Sequence, residues 1–211
     1  MCLAAFLRTF VPKIDWTMIL PILSYGHAIL RQKCQPVTVD YPELNALIDN
    51  MWHTMYRANG CGLAASQIGK PITLFVVDSK PTFENYTAEE RSRYFPQGDE
   101  GITETFINAR ITQRFEETWE DEEGCLSIPS LHRKVERPWS IEVEYTDRHF
   151  VKQHRTFSGI TARMIQHEYD HTQGILYLDY LQPLTRKMLE SKLRKISKGH
   201  ISVNYPMRFR K

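Results

Sequence analysis

The stretch His167-Glu168-Tyr169-Asp170-His171 decides the fold of this 211-residue chain, because it predicts a helix that runs through the interior. Residues four apart lie one turn above each other on a helix, so His167 and His171 face the same side and can reach one cation. Glu168, one step round, can act as a base without being a ligand. Buried polar groups without partners are costly, so a chain that points these side chains inward must pair or ligate them.

The residues on either side of this motif set the limits of the helix. Ile160 and Met164 precede the histidines at four- and three-residue steps, which is typical of the apolar, inward face of a helix. Ser158 is a candidate N-cap and Gly174 a candidate C-terminal stop. The pattern therefore predicts a helix between these two residues, with the imidazoles on its buried side.

Two histidines do not complete a metal site, and three residues are candidates for the third ligand. Glu190 lies in a segment rich in lysine and arginine, where a solvated ion pair is the usual role. Asp179 follows a short apolar run that reads as a strand or turn leading away from the motif. Cys125 is the better candidate, because the neighbouring Gly124 allows the backbone to approach a metal closely.

A second unusual segment, Asn59 to Gly69, follows an amphipathic helix that is predicted to end near Arg57. The apolar face of that helix consists of Leu44, Leu47, Ile48, Met51 and Met55. The glycines of the segment fit a helix stop and a turn, and its small residues fit tight packing. Packing does not explain Gln67, because a glutamine in an apolar, glycine-bounded strand needs a hydrogen-bond partner.

The remaining pattern predicts strands at 72–77, 105–111, 141–145 and 150–157. These strands cluster between helices instead of alternating with them, which favours an α+β fold with antiparallel β-sheets packed around a central metal-binding helix, with an N-terminal helix and a C-terminal helix. Residues 79–105, rich in Glu, Tyr, Pro and Gly, look like an inserted surface loop between strands. Residues 18–211 are predicted to form one domain, and residues 1–17 an N-terminal extension.

Three segments, taken in order, resemble the peptide deformylase family. Its pattern G-x-G-L-A-A-x-Q falls on Gly60 to Gln67, E-G-C-L-S on Glu123 to Ser127, and Q-H-E-x-D-H on Gln166 to His171. The likeness runs from about Pro21 to the last residues. The resemblance implies an enzyme that removes the formyl group from the initiator methionine of new polypeptides and releases formate.

The resemblance also implies a role for each motif residue. The metal ligands fall on Cys125, His167 and His171, and the general base and acid on Glu168. A divalent metal lowers the pKa of bound water from about 15.7 to near 7. The side-chain amide of Gln67 and the backbone N–H of Leu126 meet the formyl oxygen as it gains negative charge. The implied cofactor is one divalent metal ion, with Fe(II) as the working metal and Zn, Ni or Co as other occupants.

The implied pocket for the methionine side chain is apolar or soft, which suits a thioether. It comprises Cys61, Gly62, Ile160 and Met164, with Leu126 and His167 beside it. Many relatives carry an aliphatic residue at the position of Cys61, and a small buried cysteine is the simpler interpretation here. Some relatives place an arginine a few residues after the cysteine ligand, and this chain has His132 or Arg133 there.

The composition and the cysteine positions indicate in which compartment the protein works. The net charge is only +2, and no apolar run is long enough to cross a membrane. Four cysteines, at positions 2, 34, 61 and 125, show no framework spacing, which favours a reducing cytoplasm over a secreted setting. The expected substrate is an N-formylmethionyl nascent peptide, no membrane partner is expected, and a monomer is the expected state.

The carboxyl end concentrates positive charge that the whole chain does not have. Leu184, Met188 and Leu189 suggest a helix with one apolar edge that ends at about Ser197, followed by an extended tail over 201–209. A solvated basic face is one interpretation of the charge. Docking to the ribosome, where the substrate emerges, is the other.

Two further interpretations of the whole chain stay open at this stage. A metallopeptidase using Glu190 or Asp179 would require Cys125 to be dispensable for metal. A non-catalytic peptide-binding relative would be expected to have lost Glu168 or Gln67, and neither is lost.

Overall fold

The computed structural model describes residues 18–210, so the predicted extension at 1–17 lies outside the described residues. Five α-helices and nine strands follow one another within that range. The helices are α1 (Leu44–Arg57), α2 (Lys80–Asn85), α3 (Ala88–Tyr94), α4 (Gly159–Thr172) and α5 (Pro183–Ser197). The strands are β1 (Ile22–Leu23), β2 (Gly62–Ala64), β3 (Leu74–Asp78), β4 (Thr103–Arg114), β5 (Thr118–Cys125), β6 (Ile128–Pro138), β7 (Ser140–Thr146), β8 (Lys152–Ser158) and β9 (Met207–Arg208).

The central sheet is antiparallel and has the strand order β2-β3-β4-β7-β8. Side chains alternate across a strand, and β3 shows the result because all five of its residues are buried. Phe75 and Val77 face the cluster that contains α4, whereas Leu74 and Val76 face the cluster that contains α1. The sheet is therefore covered by a helix on each face.

The second antiparallel unit is the hairpin of β5 and β6. Its register shifts after Glu123, so that Glu123 pairs with Arg133 but Cys125 pairs with Ile128. The hairpin, α5 and a short 3-10 turn at Tyr177–Tyr180 form a third apolar cluster. Because α4 also bonds to this hairpin, as described below, α4 lies between the sheet and the hairpin. The α+β architecture with a central helix is confirmed.

Helix α4 has the limits that the sequence predicts. Ser158 precedes it in an extended conformation, although its hydroxyl bonds to that of Ser140 (2.7 Å) and not to the helix. Gly159 then begins the helix at φ 59°, where an added Cβ would collide with the carbonyl oxygen of Tyr94. Gly174, at φ 74°, lies just beyond the helix end and is left-handed, as a C-terminal stop requires.

The two ends of the described chain meet. Strand β1 pairs with β9 in parallel, with Ile22 opposite Met207 and Leu23 opposite Arg208. Helix α5 buries only Leu189, Leu193 and Ile196, so its predicted apolar edge is narrower than the sequence suggests. Over residues 18–210, no helix has the combination of length and apolar character that crossing a membrane requires.

Two sequence expectations are wrong. The 79–105 segment is not a plain loop: it contains α2 and α3, and its last residues already belong to β4. These helices have six and seven residues, too few for a periodic pattern to show. Gln67 lies on a 3-10 turn (Ala65–Ile68) and not on a strand, because β2 ends at Ala64.

Candidate metal centre and active-site cleft

Helix α4 and strand β5 bring three ligand-type side chains together. The ligand atoms of Cys125, His167 and His171 all lie within 4.8 Å of one another, and Cys125 Sγ is 3.3 Å from His171 Nε2. The two imidazoles come from successive turns of α4, as their spacing predicts. One thiolate and two imidazoles form a donor set that suits zinc and other divalent transition metals.

The orientation of His167 follows from a carboxylate two residues before the cysteine. Glu123 and Cys125, at the end of β5, both reach α4, where Glu123 contacts His167 and Cys125 contacts His171. Glu123 Oε2 is 2.9 Å from His167 Nδ1. The Nδ1 atom therefore carries a proton toward Glu123, so Nε2 is the ring atom left to bind a cation.

Glu123 is itself held in a buried network of charges between the hairpin and α4. Arg137 Nε and Nη2 donate to its two carboxylate oxygens at 2.5 and 2.9 Å, and Arg163 Nη1 donates at 2.8 Å. Arg137 Nη1 also donates to Asp170 Oδ2 (2.8 Å), which accepts from the hydroxyl of Tyr180 as well (2.9 Å). Burial alone would raise the pKa of Glu123, but the bonds from Arg137 and His167 outweigh it and hold the pKa well below its usual range.

The two imidazoles differ in their protonation. Burial opposes the charged form of His167, yet its bonds to Cys125 and Glu123 outweigh burial and raise its pKa well above the ordinary value. Burial, and then the neighbouring charge of His167, lower the pKa of His171 well below the ordinary value. His171 is therefore neutral, which is the form of histidine that binds metals, whereas a cation at His167 would have to displace the Nε2 proton.

Glu168 is a buried carboxylate without a full set of partners. Within the described part of the chain, its Oε2 atom makes no hydrogen bond. Burial raises the pKa of Glu168 to about 7. Gly62 leaves room for this side chain, because an added Cβ there would lie 2.7 Å from Glu168 Cγ. A carboxylate of this kind is suited to accept and return a proton near neutral pH.

Gln67 and Leu126 both adjoin the cysteine ligand. Gln67 Oε1 accepts from the backbone N–H of Ala64 (2.8 Å), which turns the Nε2 hydrogens toward Cys125 Sγ (3.5 Å) and the Ser127 hydroxyl (3.3 Å). Leu126 is the first residue of the turn between β5 and β6, and Gly60 leaves room for its side chain. Both residues line the cleft that contains Glu168.

That cleft has a volume of about 790 Å³. All four residues of the predicted methionine pocket line it, namely Cys61, Gly62, Ile160 and Met164. Five catalytic or ligand candidates line it as well: Gln67, Cys125, Leu126, His167 and Glu168. Cys61 is exposed, so the interpretation of it as a small buried cysteine is wrong. It lines the cleft immediately before β2, which begins at Gly62.

The alternative ligands lie elsewhere. Asp179 accepts from the backbone N–H of Leu176 and forms ion pairs with Arg31 and Arg186, the latter at 3.1 Å. Glu190 is exposed on α5. Of the two candidates for a peptide-gripping residue, His132 lines the cleft, whereas Arg133 is exposed and donates to the carbonyl oxygen of His132.

Sequence reasoning missed the network around Glu123. Glu123 belongs to the segment Glu123 to Ser127, and Asp170 to the segment Gln166 to His171. An acid within two residues of a candidate ligand was the available signal in the sequence. No sequence pattern pointed to Arg137 or Arg163, because their role becomes evident only from the buried acids that they contact in the fold.

Comparisons with known proteins agree with this geometry. The model of a family described as polypeptide deformylase matches residues 19–187. A peptide deformylase of Christiangramia forsetii is 44% identical over 192 residues, which cover 91% of this chain and 96% of the relative. One of Flavobacterium johnsoniae is 42% identical over 194 residues, with coverage of 91% and 96%. The crystal structure of a peptide deformylase from Legionella pneumophila is 34% identical, with a TM-score of 0.71 and coverage of 87% and 98%.

Proposed function

The chain belongs to the polypeptide deformylase family, metal-dependent hydrolases that remove the N-formyl group from nascent polypeptides, and we propose how its residues divide that work. Cys125, His167 and His171 hold the metal ion, and Glu168 moves the proton. The observation that carries this assignment is the convergence of three ligand atoms beside a buried carboxylate oxygen that lacks a hydrogen bond among residues 18–210.

The residues around the centre have separate tasks. When bound, a divalent ion supplies Lewis-acid chemistry that acidifies water and polarises the formyl carbonyl. Glu168 takes the proton from the attacking water and gives it to the leaving amine, while the C–N bond breaks and formate departs. Gln67 Nε2 and the Leu126 N–H donate to the formyl oxygen as it becomes negative. Ile160 and Met164 pack against the methionine side chain.

Formate release tests this assignment. We expect the enzyme to release formate from a formyl-methionyl peptide and to leave internal peptide bonds intact. Cys125→Ala should lose both metal and activity. Cleavage of an internal bond, or full metal content in Cys125→Ala, would contradict the assignment and support a metallopeptidase centred on other acids.

For the metal we propose Fe(II), with Zn, Ni or Co as possible occupants. The donor set does not discriminate among these ions, and raw affinity favours zinc over ferrous iron. Iron as the working metal predicts that activity decays in air and that nickel or cobalt substitution prevents the decay. Full, air-stable activity of the zinc form would contradict the proposal.

We propose that the ribosome is a partner and that it binds the basic face of α5, which we define as Arg194, Lys195 and the following Lys198. Arg194, Lys195 and Lys198 are all exposed there. Exposed positive charge attracts the phosphates of RNA in a salt-dependent way. We further propose that the protein is a cytoplasmic monomer. The free thiols of Cys34, Cys61 and Cys125 agree with a reducing cytoplasm.

Ribosome co-sedimentation at low salt tests this docking surface. Charge reversal at Arg194, Lys195 and Lys198 should weaken binding, while kcat/KM for small formyl peptides stays unchanged. A control variant reverses three exposed basic residues of the central sheet, Arg110, Arg114 and Lys152. Equal binding of both variants would exclude α5 as the docking surface.

A further inference from the structure

The chain returns to the active-site cleft after the matched family region has ended. Ser202, Val203, Asn204 and Tyr205 line the same cleft as Glu168, although the family match stops at residue 187. The tail is held in place on its far side by the pairing of β9 with β1. Ile22 N–H donates to the Pro206 carbonyl (2.9 Å), and Ser24 N–H to that of Arg208 (3.0 Å). The position of the tail is therefore set by main-chain bonds.

Tyr205 makes a specific contact with the turn that follows the cysteine ligand. Its hydroxyl donates to the carbonyl oxygen of Leu126 at 2.7 Å. The next carbonyl, that of Ser127, accepts from the backbone N–H of Tyr25 at 2.8 Å. Both carbonyls of this turn are thus held by the two terminal segments of the described chain. The Tyr205 ring is half-buried against the apolar cluster that also contacts Leu126.

The held peptide groups directly follow the candidate ligand Cys125. Leu126 and Ser127 are the two residues between β5 and β6, and Cys125 comes immediately before them. The Leu126 carbonyl and the Leu126 N–H belong to adjacent peptide planes that share one Cα atom. Because the two planes are joined at that Cα atom, a shift of the plane that Tyr205 holds would also displace the Leu126 N–H. An oxyanion donor must sit about 2.7–3.1 Å from the developing charge, so a small rotation is costly.

We infer that Tyr205 is a positioning residue for the reaction: its hydroxyl fixes the Cys125–Ser127 turn so that the Leu126 N–H points at the formyl oxygen. The inference rests on the proposed role of Leu126. Tyr205 touches neither the metal ligands nor the reacting atoms in this role, and it acts through the backbone of the turn. The tail beyond α5 is then part of the catalytic apparatus and not an appendage.

Removal of the hydroxyl alone tests the inference, because Tyr205→Phe keeps the ring and its packing. In the metal-loaded, full-length enzyme we expect kcat to fall about tenfold. This is less than the roughly 10²-fold cost of a 1 Å misplacement, because the turn keeps its main-chain bond to Tyr25. KM, metal content and Tm should stay close to those of the unmodified enzyme. Amide hydrogen exchange at Leu126 and Ser127 should be faster, which reports directly on the turn.

Tyr41→Phe is the matched control. Tyr41 packs partly buried against the same apolar cluster, and its substitution should leave kcat and the exchange at the turn unchanged. An unchanged kcat in Tyr205→Phe would overturn the inference. A fall in kcat explained by lost metal or a lower Tm would overturn it too, because the role would then be structural.

Two further variants separate this inference from the proposed function. Glu168→Ala and Gln67→Leu test the proposed proton carrier and the second oxyanion donor. If both lose activity while Tyr205→Phe does not, the proposed function stands and only the inference fails. If both retain full kcat, the proposed function fails and the inference fails with it.

Discussion

Helices α4 and α5 are nearly equal in length but differ in whether their polar residues are buried. Twelve of the fourteen residues of α4 are buried, and among them are Arg163, Gln166, Glu168 and Asp170. Only three of the fifteen residues of α5 are buried, and all three are apolar. The comparison teaches that amphipathic spacing does not decide which helix carries chemistry. A helix that buries polar groups needs a partner for each of them, and among the described residues Glu168 and His171 of α4 each keep an atom without one.

The polar groups of α4 have identifiable partners. Arg163 contacts Glu123, and Asp170 contacts Arg137 and Tyr180. Gln166 Nε2 donates to the Pro138 carbonyl (3.0 Å). These bonds join α4 to the β5–β6 hairpin, which places Cys125 beside the two histidines. Helix α5 has no comparable constraint, and its Leu184 and Met188 are 72% and 77% exposed.

The largest effect should come from removing the acid of α4 that lacks partners. Glu168→Ala should lower kcat by about 10²–10⁴-fold, the usual contribution of a positioned acid–base group. Metal content should stay near one ion per chain, because Glu168 is proposed as a proton carrier and not as a ligand. The measurements are formate release and metal analysis of the same preparation.

Glu190→Ala on α5 is the matched control for that variant. Glu190 is an exposed acid on the other helix, so kcat and metal content should not change. Loss of metal in Glu168→Ala would show that the role assignment is wrong. Loss of metal in Glu190→Ala would remove the contrast between the two helices.

The second effect concerns stability. Arg137→Leu leaves Glu123 and Asp170 buried without their shared partner, and breaking a buried ion pair in this way costs about 3–5 kcal/mol. Arg137 and Glu123 side chains are only 3% and 4% exposed. We expect the free energy of unfolding in urea, measured on metal-stripped protein, to fall by that amount.

An exposed pair provides the comparison for Arg137. Arg110 and Glu144 lie 2.9 Å apart with side chains 70% and 49% exposed. Arg110→Leu should change the free energy of unfolding by about 1 kcal/mol or less, since water screens such pairs. Similar losses in the two variants would mean that the network between α4 and the hairpin does not stabilise the fold as its burial indicates.

The smallest effect belongs to α5. Leu184→Ser and Met188→Ser should each change the free energy of unfolding by no more than about 0.5 kcal/mol, because both side chains already face solvent. Leu189→Ala should cost about 2–5 kcal/mol as a buried contrast on the same helix. Thermal and urea unfolding measure both. A large loss in the serine variants would mean that this apolar edge is covered in solution.

Much of the fold was accessible from local patterns. The spacing around His167 predicted a helix that the structure limits to Gly159–Thr172, and alternation predicted strands that overlap β3, β4, β7 and β8. The shorter helices and strands were not predicted. Helices α2 and α3 are too short for periodicity, although Thr87 and Glu90 form a capping box that was a readable local signal. Strands β1 and β9 have two residues each and pair across most of the chain.

The sequence by itself determined which side chains are the candidates for metal binding and proton transfer, because the motif residues and their spacing on one helix are local properties. Only the tertiary structure decided which partners orient them. Glu123 reaches His167 because the β5–β6 hairpin packs against α4 and the buried Arg137 bonds to the carboxylate, and Tyr205 reaches Leu126 because β9 pairs with β1. Such contacts join residues far apart in the chain. They depend on how the elements pack, and no local periodicity encodes that packing.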